Sequence, residues 1–169
     1  MKALITIKIC RSLEDINKIA RVAKIIWHEY YSNILTYEQI DHMLRKFQSE
    51  EAIAKAIFSK GYRYYMLLDG NEILGYCGVF AEQNKRRLYL SKFYIKKQSR
   101  AKGYSRVMLN EVTSYTKELD LDYIYLNVNK NNLQTISIYK RLGFAIIKEK
   151  TRDVGGGYKM EDLVMRLLV

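Results

Sequence analysis

The sequence contains few cysteines and histidines, no proline and no long apolar segment. Among its 169 residues there are two histidines and two cysteines, Cys10 and Cys77. Both cysteines lie in strand-like apolar runs, so we expect small buried thiols in a reduced, cytoplasmic protein rather than a disulfide. Neither histidine is spaced from cysteine or carboxylate side chains as metal ligands are, so we expect no metal site.

Further absences limit the classes of function. No apolar stretch approaches the roughly 20 residues that cross a bilayer, and residues 1–6 alternate as a strand does, without a signal-peptide pattern. We therefore expect no membrane association. The sequence has no Gly-x-Ser-x-Gly elbow and no Cys/His nucleophile arrangement. The glycine triplet 155–157 lies between two predicted strands and is not followed by Lys-Ser/Thr, so it predicts a turn and not a phosphate loop.

Positive charge is abundant. The 29 basic and 18 acidic side chains give a formal net charge of +11. This excess fits nucleic acid, an anionic membrane surface, an anionic small molecule, or simply a lysine-rich solvated surface. The basic residues are scattered, with short clusters at 85–87 and 96–97, and no basic arm or nucleic-acid motif is present. We therefore do not expect a nucleic-acid partner, and a polyphosphorylated cofactor would account for part of the charge.

Periodicity and turn signals predict one compact domain over residues 1–169, which suits the 49% hydrophobic content. The first helix is capped by Ser12, with Asp15 at the capping-box position. The other predicted helices cover residues 37–47, 50–60, 104–118 and 132–142. The predicted strands cover residues 4–9, 62–68, 73–81, 88–95, 123–128, 145–151 and 159–168. A three-strand meander followed by a strand–helix–strand crossover predicts an α/β (α+β) fold, with a mixed sheet and helices on both faces.

One junction between a strand and a helix indicates anion binding. The apolar strand 88–95 is followed by the basic segment Arg100-Ala101-Lys102-Gly103-Tyr104-Ser105, which opens directly into a helix. Such a junction presents unpaired N–H groups and the positive end of the helix dipole to one point, where a phosphate binds well. Gly103 allows a close backbone approach, while Arg100 and Lys102 add charge. An ordinary strand–helix connection with solvated cations has the same sequence pattern, so this pattern alone does not distinguish an anion site from a simple loop.

Two motifs together resemble the GCN5-related N-acetyltransferase (GNAT) superfamily. The first is Arg100-x-x-Gly103-x-Ser105. The second, about thirty residues on, is Asn132-x-x-Thr135-Ile136-x-x-Tyr139-x-x-x-Gly143-Phe144, with threonine at a position where the family has alanine. The resemblance covers residues 67–169. The segments 26–49 and 157–165 are similar to a bacterial small-amine or polyamine-like branch.

The resemblance implies a GNAT fold, with a mostly antiparallel sheet of six to seven strands that splays after strand 4. It implies acetyl-CoA as cosubstrate, held in that gap, and direct acetyl transfer to a primary amine of a small molecule. It also allows a homodimer formed through the C-terminal strands. The residues that the resemblance assigns to cofactor binding are Phe93, Tyr94, Ile95, Ser99, Arg100, Ala101, Lys102, Gly103, Tyr104, Ser105, Asn132 and Tyr139.

Tyr139 is the catalytic residue that the resemblance implies, as general acid for the leaving thiolate. A phenol, with an ordinary pKa near ~10, can donate a proton to a thiolate at neutral pH. A tyrosine packed on the core of an amphipathic helix is the alternative reading, and with 15 tyrosines in the chain a chance match is easy. Asn132 also caps the helix, which is compatible with a cofactor contact.

The sequence departs from the family where a general base is expected. Ser91 stands near the position in the fourth strand where many relatives have a glutamate, and neither of its neighbours is a carboxylate. The base must then come from elsewhere, or the amine arrives neutral or loses its proton to water. Candidate bases and amine-binding groups in the N-terminal half are His28, His42, Glu29 and Glu38, although solvated side chains are the ordinary reading for each.

The acceptor is poorly specified. Trp27, His28 and Tyr31 are the candidate substrate-binding residues. The resemblance favours a small primary amine, whereas the positive charge argues against a polyamine, which prefers an acidic cleft. A CoA-binding regulatory or sensor protein of the same fold, without transfer activity, is the alternative function.

Overall fold

The computed structural model describes residues 2–169. Its strands are β1 (Ile5–Ile9), β2 (Arg63–Asp69), β3 (Glu72–Glu82), β4 (Arg87–Ile95), β5 (Tyr123–Asn129), β6 (Ala145–Gly155) and β7 (Tyr158–Leu168). Its helices are α1 (Leu13–Tyr31), α2 (Tyr37–Met43), α3 (Glu50–Lys60), α4 (Tyr104–Glu118) and α5 (Leu133–Arg141). The predicted order of elements is confirmed.

The seven strands form one sheet in the order β1-β2-β3-β4-β5-β7-β6. Only β4 and β5 pair in parallel, and every other neighbouring pair is antiparallel. Helices α1–α3 pack on one face, together with Tyr64 and Met66 of β2. Helices α4 and α5 pack on the other face, together with Tyr65 and Leu67. The alternation of β2 side chains thus supplies both halves of the core, and the predicted mixed sheet with helices on both faces is confirmed.

Strands β4 and β5 diverge soon after they meet. Their pairing covers only three positions, from Arg87 opposite Tyr123 to Tyr89 opposite Tyr125. Beyond that point β4 continues along β3 as far as Ile95, while β5 continues along β7. The sheet therefore opens into a gap after the paired stretch, as the predicted splay requires.

Local signals explain most helix boundaries. The Ser12 side chain accepts from the Asp15 N–H and the Asp15 carboxylate accepts from the Ser12 N–H, so the predicted capping box at the start of α1 is present. Thr36 and Gln39 form a second capping box at the start of α2. The prediction of one helix over residues 37–47 is wrong in its second half, because α2 ends at Met43 and the chain continues as a π-helical turn, Leu44–Gln48.

The two cysteines are free and buried, which confirms the prediction of buried thiols. Burial, with a further contribution from the Asp15 charge, raises the pKa of Cys10 to about 12. Within residues 2–169, no helix is both long and apolar enough to span a membrane.

Asp15 stabilises the start of α1, and we expect its contribution to depend on pH. Burial by itself raises the pKa of this carboxyl group, but hydrogen bonds from Lys8, Arg11 and Ser12 outweigh burial and lower the pKa from 3.8 to about 2. Asp15→Asn should therefore cost about 2 kcal/mol of unfolding free energy at pH 7. This contribution is present above the unfolded pKa and is lost as the pH falls from about 4 towards 2.

Urea unfolding of wild type and Asp15→Asn between pH 2.5 and 7 tests this expectation, and the difference should shrink across the acidic part of that range. Glu14→Gln is the matched control, because Glu14 lies one residue away and forms an exposed ion pair with Lys18. A difference between wild type and Asp15→Asn that stays constant with pH would contradict the role of the ionised carboxylate.

Candidate functional site

Two cavities occupy the gap between β4 and β5, one on each face of the sheet. We call the first, of about 40 Å³, the narrow cavity, and it lies next to α5. It is lined by Tyr30, Tyr31, Leu90, Ser91, Phe93, Tyr94, Leu126, Asn127, Val128, Asn132, Thr135 and Tyr139. We call the second, of about 510 Å³, the wide cavity, and it lies beneath α1, the π-helical turn and α3. Its lining includes Trp27, Lys46, Phe47, Lys55, Lys60, Tyr62, Tyr89, Lys92, Asn129, Arg152, Met160 and Asp162.

Four side chains belong to both linings and form the boundary between the two cavities, which we call the window. They are Tyr31 of α1, Ser91 and Tyr94 of β4, and Asn127 of β5. Asn127 is oriented by a hydrogen bond of 3.1 Å from its amide nitrogen to the hydroxyl of Tyr89. The window lies just beyond the last β4–β5 pair, and ligands in the two cavities would come closest to each other there.

A β-bulge in β4 determines which side chains face the wide cavity. Leu90 is opposite Val79 and Lys92 is opposite Gly78, so Ser91 is an extra residue without a partner in β3. Leu88 and Leu90 before the bulge and Phe93 and Ile95 after it all face the α4–α5 side. The extra residue therefore turns Lys92 to the opposite face, where it lines the wide cavity.

Two backbone N–H groups of β4 point into the gap. The Lys96 N–H donates to the Leu74 carbonyl in β3, and strand alternation then directs the Tyr94 N–H to β3 as well. The N–H groups of Phe93 and Ile95 face the gap instead. The Tyr94 N–H is therefore not free for a ligand, although the Tyr94 side chain lines both cavities.

The loop before α4 presents a run of unpaired amides. Among the described residues, the N–H groups of 101–105 have no acceptor, whereas those of Ser99 and Arg100 donate to the carbonyls of Lys96 and Lys97. The amides of Ser99 and Arg100 are thus already paired, and those of 101–105 are left for an anion. Gly103 is the N-cap of the 15-residue helix α4, with φ of 81°, and Ala101 also has a positive φ of 59°. Both left-handed residues turn successive N–H groups towards the same side, which suits a phosphate or pyrophosphate group.

Arg100 is folded back beneath this loop and does not extend towards solvent. Its Nε donates to the carbonyl of Ile95 at 3.1 Å, and its guanidinium carbon lies 3.7 Å from the centroid of the Tyr30 ring. This side chain connects the end of β4 to α1. One terminal nitrogen is buried without a hydrogen-bond partner among the described residues. Lys102, by contrast, is exposed beside the free amides.

Tyr139 and Asn132 lie together on the narrow cavity. Tyr139 is 8% exposed, and its ring stacks on Phe93 with a centroid separation of 6.1 Å. Burial raises the pKa of its phenol, so the hydroxyl stays protonated near neutral pH. The Asn132 side chain accepts from the Thr135 N–H, which confirms the predicted cap of α5.

The predicted substrate-binding residues separate into two groups. Trp27 and Tyr31 line the wide cavity. His28 lines neither cavity, because its ring stacks on Tyr37 and its Nε2 lies 3.3 Å from Asp41.

The other candidate bases are also outside the site. The His42 ring hydrogen-bonds the carbonyl of Val154 at 2.9 Å, which holds α2 against β6. Neither Glu29 nor Glu38 lines either cavity. None of the four candidate bases therefore reaches the window.

Two cations that sequence reasoning did not select lie within the wide cavity. Burial, together with the charges of Arg152 and Lys60, lowers the pKa of Lys92 to about 8. Its ammonium donates to the Ser91 hydroxyl at 2.7 Å. Arg152 forms an ion pair with the buried Asp162. Sequence alternation gave no signal for Lys92, because the bulge reverses its side, and Arg152 comes from a distant strand.

No group of three or more potential metal-ligating side chains occurs within the stretch from Lys2 to Val169. The polar groups that face the gap include backbone amides, the buried phenol of Tyr139, and lysine and arginine side chains.

Sequence comparison finds relatives with amine substrates in their names. A probable spermine N(1)-acetyltransferase from Bacillus subtilis subsp. natto is 34% identical over 86 residues, which is 50% of this chain and 57% of that protein. The spermine/spermidine N(1)-acetyltransferase of Bacillus subtilis strain 168 is 33% identical over the same share. The chain thus matches little more than half the length of these relatives.

Solved structures share the fold over nearly the whole chain. The PaiA N-acetyltransferase of Thermoplasma acidophilum, in complex with coenzyme A, has a TM-score of 0.77 at 20% identity, covering 97% of this chain and 99% of that one. The spermidine N-acetyltransferase of Vibrio cholerae, in complex with CoA and spermine, has a TM-score of 0.69 at 20% identity, covering 97% and 95%.

The model of the acetyltransferase (GNAT) family matches residues 19–144, which are three-quarters of the chain. The matched range includes β4, the loop before α4, β5 and α5. The splayed sheet, the free amides before α4 and this match agree with one another, and the chain is a member of the GNAT acetyltransferase family.

Proposed function

We propose that this protein transfers the acetyl group of acetyl-CoA to a primary amine of a small molecule, in a ternary complex. The observation that carries the proposal is the window formed by Tyr31, Ser91, Tyr94 and Asn127. It joins a narrow cavity that contains a protonated phenol to a wide cavity that can hold a second ligand. Family membership and the CoA complexes of the fold relatives support the same reaction.

The residues before α4 suit the pyrophosphate of acetyl-CoA. Five consecutive free N–H groups, 101–105, lie at the positive end of a helix dipole, with the Lys102 ammonium beside them. From there the gap leads along the N–H groups of Ile95 and Phe93 towards Tyr139. The buried Arg100 nitrogen without a partner offers a further donor on this path. Acetyl-CoA itself supplies the activated thioester.

Around the window, this chain's own residues orient the two reactants, and Tyr139 supplies a proton. The amine nitrogen attacks the thioester carbonyl carbon, a C–N bond forms, the C–S bond breaks, and the amine loses one proton. Tyr139 donates its phenolic proton to the departing sulfur and is reprotonated from solvent. The four predicted bases lie away from the window, so an ammonium group must lose its proton to solvent before the attack, and the proton that the neutral amine loses on forming the amide goes to water.

A CoA-binding sensor without transfer activity is the second candidate. The observation that favours it is the absence of a carboxylate at 90–92 in β4, where Ser91 faces the window. This alternative predicts CoA binding with no acetyl transfer to any amine. It also predicts no effect of Tyr139→Phe on any measured activity.

Acetyl-CoA should raise the melting temperature of the protein, and incubation with a panel of primary amines should release free CoA. Ligand binding to the folded state alone stabilises it by mass action. Thermal unfolding and a thiol-release assay measure the two effects. Stabilisation by acetyl-CoA without release of CoA in the presence of any amine would favour the sensor. If acetyl-CoA neither raises the melting temperature nor is turned over, the proposal of cofactor binding is overturned as well.

Tyr139→Phe should lower kcat by about 100-fold, the size typical of a lost general acid, with little change in the KM for acetyl-CoA. The phenylalanine ring keeps the packing against Phe93, so the fold should be retained. Tyr115→Phe is the matched control, because the Tyr115 ring packs against Tyr65 and lines neither cavity. Equal effects of the two substitutions on kcat would contradict a proton-donating role.

A further inference from the structure

Five cationic side chains line the wide cavity, against one carboxylate. The cations are Lys46, Lys55, Lys60, Lys92 and Arg152, and the carboxylate is Asp162. They come from four separate parts of the chain: the π-helical turn, α3, β4 and β6. A solvated lysine-rich surface spreads its charges apart, whereas here the fold gathers them around one concave space.

The single carboxylate is already paired. Asp162 is 2% exposed and bonds the Nε of Arg152, which leaves the two terminal nitrogens of that guanidinium without a partner in the described structure. No ion pair within residues 2–169 includes any of the four lysines of the cavity. Lys46 and Lys92 donate only to neutral oxygens, the Val154 carbonyl and the Ser91 hydroxyl.

This cationic region is separate from the loop proposed to hold the cofactor. No residue of 96–105 lines the wide cavity, so its charges are not part of the pyrophosphate site. Lys92 lies beside the window, through its bond to Ser91, while Lys46, Lys55 and Lys60 are exposed at the outer part of the cavity. A bound molecule could thus reach the window at one end and meet cations along its length.

We infer that the acceptor is a small primary amine that also carries at least one anionic group, a carboxylate or a phosphate. This inference rests on the proposed function and specifies its substrate class. An anionic group would pair with the free nitrogens of Arg152 and with the lysines around the same cavity. The volume of about 510 Å³ is ample for an amino acid or a phosphorylated amino sugar.

The same charges oppose a polyamine. A molecule with several ammonium groups would place them among five cations and would find its one possible counter-charge, Asp162, occupied by Arg152. The acceptor class inferred here therefore differs from the amines in the names of the bacterial relatives.

Matched pairs of amines that differ by one anionic group test the inference. Ornithine is 1,4-diaminobutane with an added carboxylate, and glucosamine 6-phosphate is glucosamine with an added phosphate. With saturating acetyl-CoA, kcat/KM should be at least roughly tenfold higher for the member of each pair that carries the added carboxylate or phosphate. The first pair reports on a carboxylate and the second on a phosphate. Spermine should be the poorest substrate of the set.

Two variants connect the preference to the cavity. In each pair, the ratio compares kcat/KM for the amine with the added carboxylate or phosphate to kcat/KM for the amine without it. Lys60→Gln and Lys92→Gln should each reduce this ratio by several-fold. Lys117→Gln is the matched control, because it removes one exposed lysine that lines neither cavity. Circular dichroism establishes that each variant is folded.

The outcomes separate this inference from the proposed function. If amines without the added carboxylate or phosphate release CoA as efficiently as those that carry it, the inference of an anionic acceptor is overturned. The same holds if both variants keep the wild-type ratio of kcat/KM. In either case the proposal of acetyl transfer is retained. If no amine of the set is acetylated, the increase in melting temperature that each amine causes in the presence of CoA tests whether the wide cavity binds an anionic ligand. A larger shift with glucosamine 6-phosphate or ornithine than with spermine, lost in Lys92→Gln, supports an anionic ligand, and any other pattern overturns it.

Discussion

The divergence of β4 from β5 after three paired positions is the constraint on which the site depends. Each strand remains bound to its other neighbour, so the sheet keeps its stability on both sides of the gap while the facing edges lose their partners. Buried N–H and C=O groups without partners are costly, and proteins rarely leave them so. Such an edge is therefore a natural position for an extended ligand, which would supply the missing hydrogen bonds.

The bulge at Ser91 gives this gap two different sides. Before and after it, apolar side chains of β4 continue to serve the α4–α5 core, so the fold is not weakened by the extra residue. Every β4 side chain after the bulge is on the reverse face from the one that a regular strand would give it, so Phe93 and Ile95 face the α4–α5 core, while Lys92 lines the wide cavity next to the window. A one-residue irregularity thus places a cation where a regular strand would have buried it in the core, with Tyr139 on the far side of the same opening.

Positive charge is found in two separate places. At the loop before α4 it is mostly backbone charge, from the free amides of 101–105 and the helix dipole, because Arg100 is engaged with Ile95 and Tyr30. In the wide cavity it is side-chain charge, gathered from distant segments. The two sites lie along one path through the sheet, and the window between them is where acetyl transfer is proposed.

Much of the fold was predictable because its signals are local. The capping box of Ser12 and Asp15 and the cap at Asn132 act within a few residues, and each lies where its sequence predicts. The sequence likewise predicted the unpaired amides before α4 and the helix that carries Tyr139. The π-helical turn was missed, since helical periodicity does not distinguish it from a continuing α-helix.

The sequence by itself determined the order of elements, the family and the loop that suits a pyrophosphate, because short-range spacing and capping specify these. Only the tertiary structure decided what faces the window. The bulge that turns Lys92, the ion pair of Arg152 with Asp162, and the position of His28 beside Asp41, outside both cavities, all depend on strand register and on contacts between separate segments. Side-chain direction in a sheet reverses with a single residue of register, so composition could count the cations but could not gather them around one cavity.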